Sequence, residues 1–545
     1  MTVELQPSKT TSITDHVEFM ARVIVLAIGL LLLTRNVTDW FVGWHDWNSA
    51  LYSYFARNHI QYGLGYTKLF NTWGDTLTPL ANPHRYLNHP PLVAVWTAIP
   101  MFFFGDHEWV GRSVPIATTL ASALLLMVIV SRLQSPLLGL LSGFFYVTLP
   151  VTAYFGRMLD HMSPVQFFSL LMLHGYLQWT GLYGNSYRRA PGAVCYTLGA
   201  FLGIATGWAA VIMAGLIWLW HICRVFGDSS LRRLTLWLTL VPSASLAAVF
   251  THIAWGCNWN TRWLGSLFLS RTLSPQNQVS WAEWLNHSWP FLLGNVSGFG
   301  VAAAAIYLAI IPLVLQRTSP DSPYRQIIRS RTSVAPILLI ALHGLLWVCV
   351  FKHQSWIHDY WQYFAMPFFA VAMAAVVMSA FTLLDKSAPR LAMWIILVLV
   401  MLPIPSFAKA LDLFHKKQNP RDTVVLLKEL SRLIPPRAPA MISEEPPRNS
   451  ESLGSYKSTW TVPQFAYYAN RPMIHSVDFN EIQANQQGCT AYVMKLINDP
   501  NRLQLAQQLN AKYKLVWAEK NYLIFLLNQP PKDNKIPSNA RLKLS

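Results

Sequence analysis

The fold is decided by the apolar run ARVIVLAIGLLLLTRNVTDWF (21–41) and by the polar loop VGWHDWNSALYSYFARN (42–58) that follows it. An apolar stretch of about 20 residues is long enough to cross the hydrocarbon core of a bilayer as a helix. No small-residue cleavage site follows the run, so we expect an uncleaved signal-anchor helix. Further apolar runs alternate with short polar loops along the chain, and this alternation predicts a polytopic membrane protein.

The composition of the whole chain agrees with that prediction. Of its 545 residues, 53% are hydrophobic and 12% are charged, whereas about 25% are charged in ordinary soluble proteins. The net charge of +17 could suggest nucleic acid as a partner. The basic residues, however, form short clusters between apolar runs, as in proteins anchored at a cytoplasmic leaflet. We therefore expect membrane lipids, and no nucleic acid, as partners.

Eleven runs are long enough to span the membrane. They cover residues 21–42, 112–131, 137–154, 164–183, 192–208, 209–226, 234–255, 296–316, 334–351, 360–383 and 391–408. The pair within 192–226 contains Gly203, Gly207 and Gly215 and is compatible with two spans or with a re-entrant hairpin. The shorter run LVAVWTAIPMFFFG (92–105) has a proline inside it, which predicts an interfacial helix instead.

The distribution of basic residues predicts the orientation. With the N-terminus inside, the inner loops contain thirteen Lys and Arg residues, and the outer loops, which are nearly twice as long, contain seven. This bias satisfies the positive-inside rule. The loops 43–111 and 256–295 are then expected on the periplasmic or extracellular side of the inner (plasma) membrane, together with the region after residue 408.

The predicted architecture is mainly α, with two domains. Residues 1–408 would form a transmembrane helical bundle with juxtamembrane helices in its outer loops. Residues 409–545 contain proline-rich breaks and shorter periodic stretches, which predict a small soluble α/β domain on the outer face. Its helix-like stretches are 421–433 and 501–511, and its strand-like stretches are 440–443, 491–496, 514–518 and 521–527.

Asp46 lies about five residues beyond the first predicted span. A carboxylate at that depth is costly unless it has a function or a partner. One possibility is a catalytic role. The alternative is that Asp46 caps a helix that begins near Asn48, because Asp is a favoured N-cap residue.

Two basic residues lie at the expected headgroup level, in PHRYLNHPPL (83–92). Arg85 and His89 could hold a lipid phosphate through charge-assisted hydrogen bonds. The alternative is ordinary snorkelling of basic side chains at a membrane surface.

Two further outer loops carry polar groups. After the third span, Arg157 and Asp160 are three residues apart and could belong to a site or form a simple ion pair at a helix start. The loop KHQSWIHDYWQY (352–363) combines polar and aromatic groups, as sugar and phosphate sites do and as aromatic belts also do. Its candidate residues are Lys352 for phosphate and His358, Asp359, Tyr360 and Tyr363 for substrate.

These elements, in this order, resemble the glycosyltransferase C (GT-C) superfamily. The resemblance is strongest to the bacterial branch of protein O-mannosyltransferases and of aminoarabinose transferases that act on lipid A, which is glycosyltransferase family 39-like. It is carried by HDWNSALYSYFARN (45–58), YLNHPPL (86–92), FGDHEWVGR (104–112), GRMLD (156–160) and HDYWQYFAMP (358–367).

The resemblance implies roles for individual residues. The first-loop Asp of the superfamily is its catalytic carboxylate, which corresponds to Asp46, and the second acidic residue corresponds to Asp160. The basic residue before Pro-Pro is a phosphate contact, which corresponds to His89, where the aminoarabinose enzymes have Lys. Trp47 stands where many relatives have a second acidic residue, and Asn88 stands where a metal-associated Glu can occur. A divalent metal ion and the identity of the sugar are thus left open.

The predicted function is inverting transfer of a hexosyl or pentosyl group from a polyprenyl-phosphate donor to a hydroxyl of a glycan, lipid or protein in the cell envelope. Asp46 would be the base, and Asp160 would orient a group near it or help to bind a divalent ion. This requires both carboxylates to meet in one pocket. The donor phosphate would be stabilised by Arg85, His89, Lys352 and Arg157.

Two other classes of function are considered. A lipid-linked glycan ligase or polymerase would be expected to have a longer outer loop with paired arginines, whereas the loop 256–295 has only Arg262 and Arg271. A non-enzymatic lipid or solute transporter predicts ionisable residues at mid-bilayer, but here they gather at the ends of the spans.

Overall fold

The structure is a computed structural model. It describes residues 10–72, 85–184, 189–226, 231–260, 279–317, 331–384, 421–435, 438–443, 463–471, 473–496, 499–519 and 521–531, with single residues between 262 and 272 and between 390 and 401.

The described chain is mainly helical. Its helices are α1 (Thr10–Leu33), α2 (Trp47–Tyr62), α3 (Leu64–Thr67), α4 (Leu92–Phe104), α5 (Glu108–Leu133), α6 (Pro136–Thr148), α7 (Pro150–Phe155), α8 (Met162–Trp179), α9 (Arg189–Thr206), α10 (Ala209–Val225), α11 (Arg232–Gly256), α12 (Trp281–Arg317), α13 (Arg331–Val350), α14 (Lys352–Ile357), the 3₁₀ segment Asp359–Ala365, α15 (Met366–Leu384), α16 (Arg421–Leu433), α17 (Pro463–Ala469), α18 (Phe479–Ala484) and α19 (Pro500–Lys512). Its strands are β1 (Asn71–Thr72), β2 (Arg85–Tyr86), β3 (Ala440–Ile442), β4 (Met473–His475), β5 (Ala491–Lys495), β6 (Lys514–Glu519) and β7 (Tyr522–Leu526).

The helices account for ten of the eleven predicted spans, and the span 391–408 lies mostly outside the described residues. Within the described part of the chain, five helical stretches are long and apolar enough to cross a membrane: His16–Leu33, Glu108–Leu133, Arg232–Gly256, Trp281–Ala309 and Asp359–Phe381. Five shorter apolar helices accompany them: Leu92–Phe104, Pro136–Thr148, Ala190–Thr206, Ala209–Val225 and Val334–Val350. This confirms the prediction of a mainly helical, polytopic membrane protein.

The first helix begins and ends earlier in the chain than the predicted span 21–42. Helix α1 ends at Leu33, whereas the predicted span ended at residue 42. Asn36 adopts φ 53°, a left-handed conformation that Asn tolerates and that ends helices. At the other end, Glu18 and Arg22 form an ion pair one turn apart, which reduces the cost of including both charges in the helix.

Helix α12 begins fifteen residues before the predicted span 296–316. Ser280 and Glu283 start it with a capping box, in which each side chain accepts a hydrogen bond from the backbone N–H of the other residue (2.9 and 3.1 Å). Ser297 then interrupts the helix with φ 73°. Part of the predicted outer loop 256–295 is therefore helical.

The region 192–226 forms two separate helices, α9 and α10, of 18 and 17 residues. Helix α9 packs against α8 with almost no space between their backbones. A Cβ atom at Gly175 would lie 2.3 Å from the backbone nitrogen of Tyr196, and one at Gly199 would lie 2.5 Å from that of Met172. Small residues allow such close helix packing in membranes.

The C-terminal region contains a five-stranded sheet in the order β4-β3-β5-β7-β6. Strand β3 is parallel to β4 and β5, and β7 is antiparallel to β5 and β6. Its core includes Tyr492, Leu523 and Phe525, which are fully buried. The predicted small α/β fold is present, and it also contains α17, β4 and α18, which the sequence pattern does not predict.

The chain divides into two compact units. Unit 1 comprises Met1–Val37, Asn88–Val93 and Arg112–Lys416, and unit 2 comprises Thr38–Leu87, Ala94–Gly111 and Lys417–Ser545. Most of the first outer loop thus belongs to the same unit as the C-terminal region. The boundary between residues 408 and 409 lies outside the described residues and stays a prediction.

Candidate functional site

Asp46, in unit 2, directly precedes α2 and is 8% exposed. Its carboxylate accepts a hydrogen bond from the Ser49 hydroxyl (2.8 Å). Within the described chain, its side chain makes no capping hydrogen bond to the backbone of α2. His45, just before it, adopts φ 58°, which is uncommon for a residue other than glycine. The capping alternative therefore gains no support, and a buried carboxylate is held at a strained turn.

Helix α2 is buried from Asn48 to Ala56, and its polar residues Asn58 and His59 are buried as well. The Asn58 amide donates to the Thr72 carbonyl (2.7 Å), and Nδ1 of His59 lies 2.9 Å from the Thr67 hydroxyl. Burial lowers the pKa of His59 to about 4, so its imidazole is neutral near pH 7. These contacts fix the helix that follows Asp46.

Arg85 also belongs to unit 2. It lies on strand β2, paired with Thr72 of β1, and its guanidinium lies 4.8 Å from the centre of the Phe70 ring. Burial lowers the pKa of Arg85, but an arginine pKa starts so high that the side chain stays charged.

Asp160 and His161, in unit 1, form a buried pair directly before α8, and each is 2% exposed. The Asp160 carboxylate accepts hydrogen bonds from the backbone N–H and from Nδ1 of His161. The His161 ring stacks on His89, with ring centres 4.6 Å apart. Burial raises the pKa of Asp160, but the charge and hydrogen bonds of His161 and the charge of His89 outweigh it and lower the pKa. Asp160 is therefore an ionised carboxylate beside two imidazoles.

His161 was not among the predicted residues. Because an ionised carboxylate only accepts hydrogen bonds, Nδ1 of His161 carries the proton. Its Nε2 has no hydrogen-bond partner among the residues that the structure describes. His89 is only partly buried, and the neighbouring Asn88 carbonyl accepts a hydrogen bond from the Trp208 indole (3.2 Å), which ties this segment to α10.

A row of rings continues from His161 within unit 1. The centre of Trp347 lies 6.3 Å from that of His161, Trp361 lies 4.7 Å from Trp347, and His358 stacks 5.8 Å from Trp361. Tyr360 lies 5.3 Å from His358. The structure thus connects His89 with His358 and Tyr360 through the buried rings of His161, Trp347 and Trp361.

The two predicted cations of unit 1 lie on aromatic faces. Nζ of Lys352 is 4.6 Å from the centre of the Trp281 ring, and Cζ of Arg157 is 5.5 Å from that of Tyr154. Such cation–π contacts hold a charged side chain in place while it remains charged.

Tyr363 is fully buried, and its hydroxyl lies within hydrogen-bond distance of Thr119 (2.9 Å) and Tyr146 (3.1 Å). These contacts favour a role in helix packing over the predicted substrate contact. Asp359 is also buried, with 4% of its surface exposed.

The predicted site residues are divided between the two units. Unit 2 holds Asp46 and Arg85, and unit 1 holds Asp160, His89, Arg157, Lys352, His358, Asp359, Tyr360 and Tyr363. The meeting of Asp46 with Asp160 stays a prediction. Among the described residues, no group of three His, Cys, Asp or Glu side chains could hold a metal ion.

Comparison with known proteins shows similarity in structure. No protein-family model matches the sequence, and no curated protein matches it. ArnT from Cupriavidus metallidurans bound to undecaprenyl phosphate is 12% identical, with a TM-score of 0.63 over 95% of this chain and 98% of that chain. The archaeal oligosaccharyltransferase AglB from Archaeoglobus fulgidus, in complex with an inhibitory peptide and a dolichol-phosphate, is 13% identical, with a TM-score of 0.55 over 92% of this chain and 73% of that chain. At these identities the similarity is one of fold.

Proposed function

We propose, on the premise that this chain has the GT-C fold, that it transfers a sugar from a polyprenyl-phosphate donor to an acceptor hydroxyl. The observation that carries the proposal is the shared fold, over 95% of the chain, with a protein bound to undecaprenyl phosphate. This fold is the one that the resemblance of the sequence implies. The sugar would be a hexosyl or pentosyl group, and the acceptor a glycan, a lipid or a protein of the cell envelope.

Asp46 is the proposed base. The acceptor oxygen attacks the anomeric carbon from the side opposite the phosphate, the bond from that carbon to the phosphate oxygen breaks, and the phosphate leaves with the electron pair. The hydroxyl proton moves to the Asp46 carboxylate, and the configuration at the anomeric carbon inverts. A positioned base typically contributes about 10²–10⁴-fold to the rate. The burial of Asp46 and its hydroxyl partner Ser49 support this role.

Negative charge grows on the departing phosphate, and positive groups that are already in place stabilise it. His89 is the first candidate, because its ring stacks on His161 and its charge acts on Asp160. Arg85, Lys352 and Arg157 complete the proposed cationic set. The contacts of Asp160 support a role in orienting the His161 imidazole.

We assign sugar binding to the end of the row of rings at His358 and Tyr360, where aromatic and polar side chains occur together. His358, Asp359 and Tyr360 supply flat faces and hydrogen-bonding groups, and the Trp361 ring backs His358. We place this site and the C-terminal domain on the outer side of the inner (plasma) membrane, because the basic residues favour that orientation.

The test uses the full-length protein in lipid nanodiscs with a panel of polyprenyl-phosphate sugars, and products are identified by mass spectrometry. Asp46→Asn should lower transfer at least about 100-fold, while binding of undecaprenyl phosphate changes little. Asp39→Asn is the matched control, since Asp39 is an exposed carboxylate seven residues earlier in the same unit. Full transfer by Asp46→Asn would exclude Asp46 as the base. Movement of the lipid between leaflets without any sugar transfer would favour a transporter.

A further inference from the structure

The residues on either side of Asp46 contact one short helix of the C-terminal region. That helix is α17, and its adjacent residues Tyr467 and Tyr468 are both buried. Tyr467 contacts Arg57, eleven residues after Asp46, and Tyr468 contacts Phe41, five residues before it. All of these residues lie in unit 2.

On the C-terminal side of Asp46, three side chains form a closed triangle. Asp106 accepts hydrogen bonds from Nε of Arg57 and from the Tyr467 hydroxyl (2.9 Å). Arg57 also donates to the Tyr467 carbonyl (2.9 Å), and its guanidinium lies 4.4 Å from the centre of the Tyr467 ring. Burial, followed by the charge of Asp106, raises the pKa of Tyr467 well above its usual range. The Tyr467 hydroxyl therefore keeps its proton and stays a donor.

On the N-terminal side, Tyr468 joins two further segments. Its hydroxyl accepts a hydrogen bond from the Phe41 backbone N–H (2.7 Å) and donates to Glu108 (3.2 Å). Nζ of Lys428 lies 3.8 Å from Glu108 and 4.5 Å from the centre of the Trp40 ring. The Phe41 ring also packs edge-on against Tyr467, with centres 5.2 Å apart.

Helix α17 is itself fixed to its own domain. The Ser431 hydroxyl of α16 donates to the Tyr468 carbonyl (3.0 Å). Arg471, 8% exposed, donates to the carbonyls of Ala469 (2.9 Å) and Pro435 (3.0 Å). The two tyrosines are thus held within the C-terminal region by contacts that do not involve the first loop.

We propose that α17 is the element by which the C-terminal domain positions Asp46, with Tyr467 and Tyr468 as positioning residues that hold the segment 41–57 at both ends. The proposal rests on the proposed role of Asp46. Arg57 lies about 16 Å along α2 from Asp46, at 1.5 Å per residue. A tilt of about 4° at Arg57 would therefore move Asp46 by about 1 Å, and a misplacement of that size can cost about 100-fold in rate.

The experiment compares Tyr467→Phe, Tyr468→Phe and Asp106→Asn in the full-length protein in nanodiscs. Tyr492→Phe is the matched control, because Tyr492 is a buried tyrosine of the same domain whose hydroxyl donates to the Ser476 carbonyl (2.8 Å), away from the segment. Hydrogen–deuterium exchange is followed for peptides of 41–57, with β5 and β7 as internal references. Turnover, KM and binding of undecaprenyl phosphate are measured in parallel.

For Tyr467→Phe and Asp106→Asn we expect faster exchange in 41–57 alone and a kcat about 5- to 20-fold lower, with binding of undecaprenyl phosphate within about twofold of the original. The double variant should lose less than the product of the two single losses, because both act on the same contacts among Arg57, Asp106 and Tyr467. Tyr492→Phe should leave exchange in 41–57 and kcat unchanged.

Two results would overturn the proposal: unchanged exchange in 41–57, or faster exchange with an unchanged kcat. The first would show that α17 does not hold the segment, and the second that holding it does not position Asp46. If the original protein transfers no sugar from any donor tested, the proposed function fails, and the exchange measurement alone decides whether α17 holds the segment.

Discussion

Asp46 in unit 2 and Asp160 in unit 1 are both buried carboxylates next to the start of a helix, but their hydrogen-bond partners differ. Asp46 accepts a hydrogen bond from a neutral hydroxyl, that of Ser49. Asp160 accepts two from His161, whose charge helps to keep it ionised. A carboxylate committed to an imidazole is poorly suited to take up a further proton. The bonds to His161 suit Asp160 to fixing its neighbours, and the role proposed for Asp46 stays that of the base.

The largest expected effect separates the two carboxylates by chemical rescue. Asp46→Ala should lose about 10²–10⁴-fold in turnover, since no base remains. Added formate, a small carboxylate, should restore part of that loss. Asp160→Ala should show no such recovery, because a diffusing anion cannot orient His161. Rescue of Asp160→Ala, or none for Asp46→Ala, would reverse the assignment.

A second expected difference concerns stability. Removing one partner of a buried, hydrogen-bonded pair typically costs about 3–5 kcal/mol. Asp160→Asn removes the charge but keeps an oxygen that can accept from His161, so it should lower the free energy of unfolding by less than this, about 1.5–3 kcal/mol, which thermal unfolding in detergent would detect. Asp46→Asn should change it by less than about 1 kcal/mol, since Asn can still accept from Ser49. Equal losses in both variants would remove the distinction.

The imidazole pair beside Asp160 gives a smaller prediction. His89→Ala should weaken binding of undecaprenyl phosphate about tenfold, the loss of one charge-assisted hydrogen bond. His89→Lys should keep the affinity within about threefold, because Lys also supplies a cationic donor. The affinity of both variants for undecaprenyl phosphate is measured by a scintillation proximity assay. An unchanged affinity in His89→Ala would exclude His89 from the phosphate contacts.

The smallest effect distinguishes the two units by their response to acid. The unfolded chain binds a proton at His59 near pH 6.5, whereas in the folded protein the pKa of His59 is about 4. Stability is therefore complete above pH 6.5 and falls as the pH falls from 6.5 through 4, by about 0.8 kcal/mol between pH 8 and pH 6. His59→Gln should remove this component of the unfolding profile. Asp160, with a lowered pKa, loses its contribution only below about pH 4.

Hydropathy alone located helical structure at ten of the eleven predicted spans, because an apolar run of that length favours a helix whatever it packs against, although the span 137–154 is divided between α6 and α7. The errors lie at helix ends, where local hydrogen bonds decide. The capping box of Ser280 and Glu283 is readable in the sequence, whereas the left-handed Asn36 depends on its context.

The candidate site was less predictable than the spans. Asp46 and Asp160 could be selected by position and resemblance, but the stacking of His161 on His89 joins residues that are far apart in the chain. The hydrogen bond between Tyr467 and Asp106 joins residues that are 361 positions apart in the chain, and Tyr467 lies on a helix of only seven residues. No periodic pattern in so short a segment indicates which surface it will contact.

The near-contact of backbones between α8 and α9 has a consequence for how the protein tolerates change. Gly175 lies thirteen residues beyond the first residue of α8, and this helix directly follows the Asp160–His161 pair. Even a single added methyl group at Gly175 or Gly199 would push the helix sideways and redirect the pair at its end. In a saturation mutagenesis survey, these two glycines should therefore be as intolerant of substitution as residues in contact with substrate. This is expected although about 20 Å of helix separates Gly175 from the Asp160–His161 pair.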